Sequence, residues 1–173
     1  MQDSIKRYIR DVPDFPKPGI MFKDITPLLQ NHKVFDGTIQ ALVKRYSGER
    51  IDSVVGIESR GFLFGTPLAH QLQAGFVPVR KKGRLPYKTI NISYDLEYGS
   101  ATIEMHTDAI KKGERVVIID DLLATGGTAG AACELVRQQG GEVVECAFIV
   151  ELAFLNGRDK IPGVPIHSLV SYK

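Results

Sequence analysis

Asp120 and Asp121 close the apolar run Val116-Val117-Ile118-Ile119, and Leu122-Leu123-Ala124-Thr125-Gly126-Gly127-Thr128 follows them directly. Four β-branched residues in a row, with no polar alternation, read as a strand buried on both faces of a parallel sheet, and such sheets bind ligands beyond the carboxyl ends of their strands. Gly126 and Gly127 permit backbone turns that other residues resist. Several N–H groups, the Thr125 and Thr128 hydroxyls and the positive end of a following helix can then converge on one anion. The segment lacks the Gly-Lys-Ser/Thr of a P-loop and the GxGxxG of a dinucleotide fold. A single phosphate monoester therefore suits it better than a triphosphate or NAD. Carboxylates repel a phosphate that touches them, so Asp120 and Asp121 are expected to accept hydrogen bonds from sugar hydroxyls, or to hold hydrated Mg²⁺ through water. The whole reads as a seat for ribose 5-phosphate. The plainer reading, an acidic strand end before a glycine turn, needs no such order of carboxylates, glycines and threonines.

The elements that position this motif are legible from apolar spacing. Val34, Phe35, Ile39, Leu42, Val43 and Tyr46 recur at helical intervals and predict a helix over 33–46, with a strand at 53–57 after it. A helix follows Arg60, where Pro67 either kinks it or marks its real start after Thr66. Strands are expected at 75–79, 101–106, 143–150 and 166–170, and a helix from about 128 to 139 ends at Gly140-Gly141. Residues up to about Leu29 read as an irregular arm punctuated by Pro13, Pro16, Pro18 and Gly19, with Thr26-Pro27 as an N-cap and first helical residue. The stretch from Tyr87 to about Gly99 shows little clean periodicity and reads as a loop. Strands alternating with helices predict an α/β fold with a mainly parallel sheet flanked by helices.

A chain of 173 residues is expected to form a single domain, 1–173, with 1–30 as an N-terminal arm or hood. Its formal charge of +2 gives no general basic surface, so neither nucleic acid nor membrane is an expected partner. No apolar run approaches the ~18 residues of a membrane span, and the N-terminus has no signal core, which suggests a cytoplasmic location. Cys133 and Cys146 lack metal spacing and read as buried free thiols. The dispersed histidines His32, His70, His106 and His167 are assigned no chemistry.

The segment from Val117 to Thr128 resembles the phosphoribosyl-diphosphate binding motif of the type I phosphoribosyltransferases. Further segments match in order: Arg10-Asp11-Val12-Pro13-Asp14-Phe15-Pro16, Met21-Phe22-Lys23-Asp24-Ile25-Thr26-Pro27, Glu58-Ser59-Arg60-Gly61-Phe62-Leu63-Phe64-Gly65 and Leu96-Glu97-Tyr98-Gly99. Together they resemble the adenine-using members of the type I purine phosphoribosyltransferase family, over nearly the whole chain. The resemblance implies that fold, with a small hood and a flexible catalytic loop. It also implies a purine salvage reaction in which adenine and 5-phospho-α-D-ribose 1-diphosphate (PRPP) give AMP and diphosphate with Mg²⁺, in a homodimer.

That reaction makes an oxocarbenium-like centre, so it needs a held anionic leaving group, an oriented base and exclusion of water. For the diphosphate, the turn at Ser59 and Arg60 offers backbone donors, a hydroxyl and a guanidinium, while Arg80-Lys81-Lys82-Gly83-Arg84 adds positive charge, from which Lys81 and Arg84 are selected. A solvated surface turn is the alternative for any one of these side chains. The resemblance makes Ser59/Arg60 the pyrophosphate loop, with Arg60 also near the base. A related purine class carries a carboxylate within the phosphate loop where this chain has Ala124, so the proton donor is sought at Glu97, beside Tyr98 in the loop. For adenine, Phe22 offers an aromatic face, backbone groups of Met21 and Lys23 could read an amino group and a ring nitrogen, and Leu152 resembles the apolar residue on the other face. Simple packing is the alternative for Phe22 and Leu152. No side chain is expected to bind metal directly. Competing readings are a phosphoribosyltransferase for xanthine, hypoxanthine or guanine, and a non-catalytic nucleotide sensor; the sensor should carry an added nucleic-acid-binding region, which this chain lacks room for.

Overall fold

Facing charges, not apolar periodicity, build the first strands of the chain. After a short helix, α1 (Gln2–Lys6), strands β1 (Arg10–Pro13) and β2 (Met21–Asp24) form an antiparallel hairpin. Arg10 stands opposite Asp24 and Asp11 opposite Lys23 in its register, and each pair closes an ion pair of 2.6 Å. Opposite charges placed across a ladder in this way are the sheet's usual unit of side-chain stabilisation. The expectation of an irregular segment to about Leu29 is corrected accordingly. Helices α2 (Thr26–Gln30) and α3 (His32–Tyr46) follow. Thr26 lies inside α2, not at its N-cap, because its hydroxyl donates to the Asp24 carboxylate at 2.8 Å; Ile25 takes the cap position.

The computed structural model describes residues 2–96 and 99–173, without the Gln2 side chain. The chain divides into two compact units, Met1–Arg45 and Tyr46–Lys173. Among the described residues, the second unit is built on one seven-stranded sheet. In chain order it comprises β3 (Ser53–Ile57), α4 (Gly61–Leu72), β4 (Gly75–Lys81), β5 (Thr89–Asp95), β6 (Ser100–His106), β7 (Arg115–Leu123), α5 (Gly127–Gln138), β8 (Glu142–Leu152) and β9 (Ile166–Tyr172). The strand order is β5-β6-β4-β3-β7-β8-β9. Strands β4, β3, β7, β8 and β9 run parallel, and β6 and β5 join antiparallel at one edge. Val116 to Ile119 in β7 are fully buried, as a strand covered on both faces must be.

One local finding departs from the sequence reading, and for α4 the start after Thr66 is not the one taken. Residues 89–95 form a full strand, because Ile90, Ile92 and Tyr94 alternate with Asn91, Ser93 and Asp95 and pack against the core. Helix α4 runs through Pro67 from Gly61. Proline cannot donate to the Leu63 carbonyl, and in the same turn the Thr66 hydroxyl donates to the Phe62 carbonyl at 2.8 Å. Cys133 and Cys146 are both free and buried, with their sulfurs 3.4 Å apart. Among the described residues no helix is long and apolar enough to cross a membrane.

Candidate active site

The strand β7 carries both aspartates within its ladder, where Asp120 pairs with Phe148 and Leu123 with Glu151 of β8. The chain then turns at Gly126, whose φ of +82° lies in the left-handed region that favours glycine, and α5 starts at Gly127. A Cβ on Gly126 would collide with the Gly157 carbonyl, and one on Gly157 would collide with the Ala124 carbonyl. The loops after β7 and β8 thus meet backbone to backbone. Ala124, Thr125, Gly126, Gly127 and Thr128 line a small cavity of about 80 Å³ that Asp120 borders. The unpaired N–H groups of the first turn of a twelve-residue helix lie at this loop, so it has the geometry of an anion seat. Tyr94 of β5 adds a contact that sequence reading missed: its hydroxyl is 2.8 Å from Thr128 Oγ1.

Asp121 is 4% exposed and accepts a hydrogen bond from Arg60 Nε at 2.5 Å. Its own N–H donates to Asp120 Oδ1 at 2.8 Å. Burial pushes the Asp120 carboxyl well above the usual range, and the neighbouring Asp121 charge adds to the rise. Helix α4 approaches β7 closely here, since a Cβ on Gly61 would stand 2.7 Å from the Ile119 carbonyl oxygen. That close approach is what delivers Arg60 to Asp121.

A second cavity, of about 310 Å³, is lined by Glu58, Ser59, Arg60, Lys81, Asp120 and Asp121. Asp120 borders both spaces, so an anion seat and a larger polar chamber share one wall. Arg80 does not serve as a free cation, because its guanidinium is spent on the Glu58 carboxylate at 3.2 Å and on the Arg84 carbonyl at 3.0 Å. Burial raises the Glu58 carboxyl, but the Arg80 hydrogen bond and the Lys81 N–H outweigh it and hold the group below its ordinary value. Among the described residues, the Lys81, Lys82 and Arg84 side chains make no hydrogen bond or ion pair, and all three are exposed.

Of the residues expected from sequence, Ser59, Arg60, Lys81, Asp120 and Asp121 surround one chamber, and 124–128 form the adjoining seat. Arg84 does not line the chamber. Leu152 ends β8, opposite Tyr172 of β9, and is 9% exposed. Met21, Phe22 and Lys23 lie on β2 in the first unit. There the Phe22 ring meets Phe15 edge to face at 5.0 Å, and Lys23 Nζ pairs with Asp11. Glu97 and Tyr98 lie outside the described residues. Besides Tyr94, sequence reading missed Glu58 and Gly157. A strand-end acid followed by Ser-Arg-Gly was a signal for Glu58; nothing local signals Gly157, which acts through a contact with a loop some thirty residues away.

Asp120 and Asp121 are hard oxygen donors at the chamber, the type that magnesium prefers. Among the described residues, however, no group of three or more His, Cys, Asp or Glu side chains is placed to hold a metal ion. The donor set suits an ion held largely by a ligand's oxygens and by water.

A phosphate seat at a strand end, beside a chamber with cations and carboxylates on a seven-stranded sheet, defines the type I phosphoribosyltransferase fold, and residues 24–161 match the phosphoribosyl transferase domain family. An adenine phosphoribosyltransferase of Flavobacterium johnsoniae is 57% identical over 168 residues, covering 97% of this chain and 99% of its own length. The crystal structure of adenine phosphoribosyltransferase from Rhodothermus marinus superposes with a TM-score of 0.94 at 56% identity, over 99% of this chain and 98% of that one. The Saccharomyces cerevisiae enzyme, complexed with D-2,5-dideoxy-2,5-imino-altritol 1,6-bisphosphate and adenine, gives 0.92 at 43% identity over 97% of each chain. The chain belongs to the phosphoribosyltransferase family, in its group of adenine phosphoribosyltransferases.

Proposed function

We infer that the chain transfers the 5-phosphoribosyl group of PRPP to adenine, giving AMP and diphosphate, in purine salvage. The observation that carries this reading is the pairing of two spaces across Asp120: a monophosphate seat at 124–128 and a chamber with Arg60 and Lys81. A ribose spanning them would place its 5-phosphate on the α5 N-terminus and its 1-diphosphate toward the two cations.

The bond between C1 of the ribose and its diphosphate oxygen breaks, and the electron pair leaves with the diphosphate. A bond forms from a purine ring nitrogen to C1, and that nitrogen loses its proton. Ser59, Arg60 and Lys81, with Arg84, hold the leaving group, while Asp120 and Asp121 orient the sugar hydroxyls. Glu97, next to Tyr98, is the acid–base group at the purine imidazole ring: its carboxylate takes the proton the ring loses in this direction and, as the acid, returns it in the reverse direction. Met21, Phe22 and Lys23, within residues 1–30, are assigned to reading the base, and Leu152 and Arg60 are assigned to it as well. Bound Mg²⁺ would offset the diphosphate charge that three carboxylates and two cations around the chamber leave unbalanced, with Asp120 and Asp121 reaching it through water. A cytoplasmic location and a homodimer belong to the same reading; large apolar side chains left exposed on the second unit, among them Leu63 at 43% and Tyr87 at 58%, support the homodimer.

The test is turnover of the purified chain on adenine, hypoxanthine, guanine and xanthine with PRPP and Mg²⁺. AMP formation from adenine alone is expected, because a backbone site built to accept from an amino group leaves an oxopurine carbonyl unpaired. Absence of adenine turnover would overturn the reading.

A further inference from the structure

Glu104 sits on β6 with only 3% of its surface exposed, and among the described residues it forms no ion pair. A buried carboxylate without a cation must be satisfied by other donors, or it is costly to keep. Its donors are backbone N–H groups and one hydroxyl. Oε1 accepts the N–H of Arg84 and the N–H of Leu85, each at 2.9 Å, and Oε2 accepts the Thr89 hydroxyl at 3.3 Å. Burial pushes this carboxyl up, yet the N–H groups of Leu85, Gly83 and Arg84 more than offset it and keep the group ionised.

The consequence lies in the turn above it. Residues 81–85 leave β4 and reverse at Gly83, whose φ is +84°. Glu104 draws the N–H groups of the turn inward from one side. From the other, Arg80, itself fixed by Glu58, takes the Arg84 carbonyl, and the Lys82 N–H donates to the Thr102 carbonyl at 3.0 Å. With its backbone groups directed into the fold, the turn leaves the Lys81, Lys82 and Arg84 side chains outward and exposed. A hydrophobic anchor could pack the turn but could not orient its N–H groups.

We propose that Glu104 is a positioning residue for diphosphate binding, holding the backbone of the 81–85 turn so that the cationic side chains of the turn meet the leaving group. The proposal rests on the reading that Lys81 and Arg84 serve the diphosphate. It assigns to a buried acid a role in binding an anion that it never touches.

The test is steady-state kinetics of the whole enzyme, with PRPP varied at saturating adenine and inorganic diphosphate as product inhibitor. Glu104→Ala is expected to raise KM for PRPP and weaken diphosphate inhibition about tenfold or more, with kcat within about threefold and KM for adenine unchanged. Glu104→Gln keeps an oxygen for both N–H groups and is expected to stay within about twofold of the parent enzyme. Should Glu104→Ala fail to fold, Glu104→Asp withdraws the same oxygen by one methylene and is expected to raise KM for PRPP in its place. A folded Glu104→Ala or Glu104→Asp enzyme with unchanged KM for PRPP overturns the proposal, as does Glu104→Gln as impaired as Glu104→Ala. Lys81→Ala separates the two levels. If it leaves KM for PRPP unchanged, the diphosphate reading itself fails; if it raises that KM while the Glu104 variants do not, only the positioning role fails.

Discussion

The Tyr94 hydroxyl lies 2.8 Å from Thr128 Oγ1 and ties the strand that leads to Glu97 to the first turn of the phosphate helix. A hydroxyl pair of this kind contributes about 1 kcal/mol. Tyr94→Phe and Thr128→Val are each expected to lower stability by about that amount, and the double variant by less than their sum, because they remove the same bond. Thr128→Val should also raise KM for PRPP several-fold more than Tyr94→Phe does, since only Thr128 borders the anion seat. Denaturant titration and kinetics of the four proteins check both statements; strict additivity would dissociate the pair.

Gly126 and Gly83 offer a controlled comparison, for both have φ above +80° but only Gly126 is obstructed. Gly83→Ala is expected to cost about 1 kcal/mol, the strain of a left-handed residue. Gly126→Ala must also force the Gly157 backbone away, so a loss of about 3 kcal/mol and of PRPP binding is expected. Urea unfolding measures the difference.

Asp120 gives a pH signature. Its carboxyl is raised in the folded chain, so above the ordinary aspartate value of about 4 the folded state binds more protons than the unfolded one. Stability then declines as pH climbs from that value through the raised one. Asp120→Asn keeps an oxygen for the Asp121 N–H and removes the half-buried charge beside Asp121, so Tm should rise by about 2–4 °C at pH 8 and hardly at all at pH 4. An equal gain at both values would remove desolvation as the cause.

Asp121→Asn weakens the partner of Arg60, whose Nε hydrogen bond it receives. KM for PRPP should increase about tenfold. Isothermal titration with PRPP reads this directly.

Glu97→Gln is expected to lower kcat about a hundredfold with KM values little changed, the mark of lost acid–base catalysis. Single-turnover measurement follows the chemistry itself, and a rate equal to that of the parent enzyme would withdraw the assignment.

Some of this molecule was visible in its sequence and some was not, for physical reasons. β7 and α5 were legible because the unbroken apolar run and the glycine turn each impose one structure. The hairpin of β1 and β2 was not, because Arg10, Asp11, Lys23 and Asp24 hold it by charges whose partners are revealed only by register. β5 was overlooked despite a regular Ile90, Ile92, Tyr94 alternation, since the polar residues between them diluted the apolar signal. In the site, residues adjacent in sequence were read as one constellation, and Asp120, Asp121 and 124–128 do border adjoining cavities. Pairings across distance were not: Arg80 looked like a free cation until Glu58 was found to neutralise it, and Glu104 resembled any strand residue until the turn folded over it.

Asp120 and Asp121 belong to a strand, not to a loop, and the residues on either side of Asp121, Asp120 and Leu122, pair with the neighbouring β8. The floor beneath the sugar is consequently as stiff as the sheet, and a ligand cannot be accommodated by sinking into it. Discrimination against a sugar of the wrong length or stereochemistry is then a matter of rigid distance between two fixed anchorages.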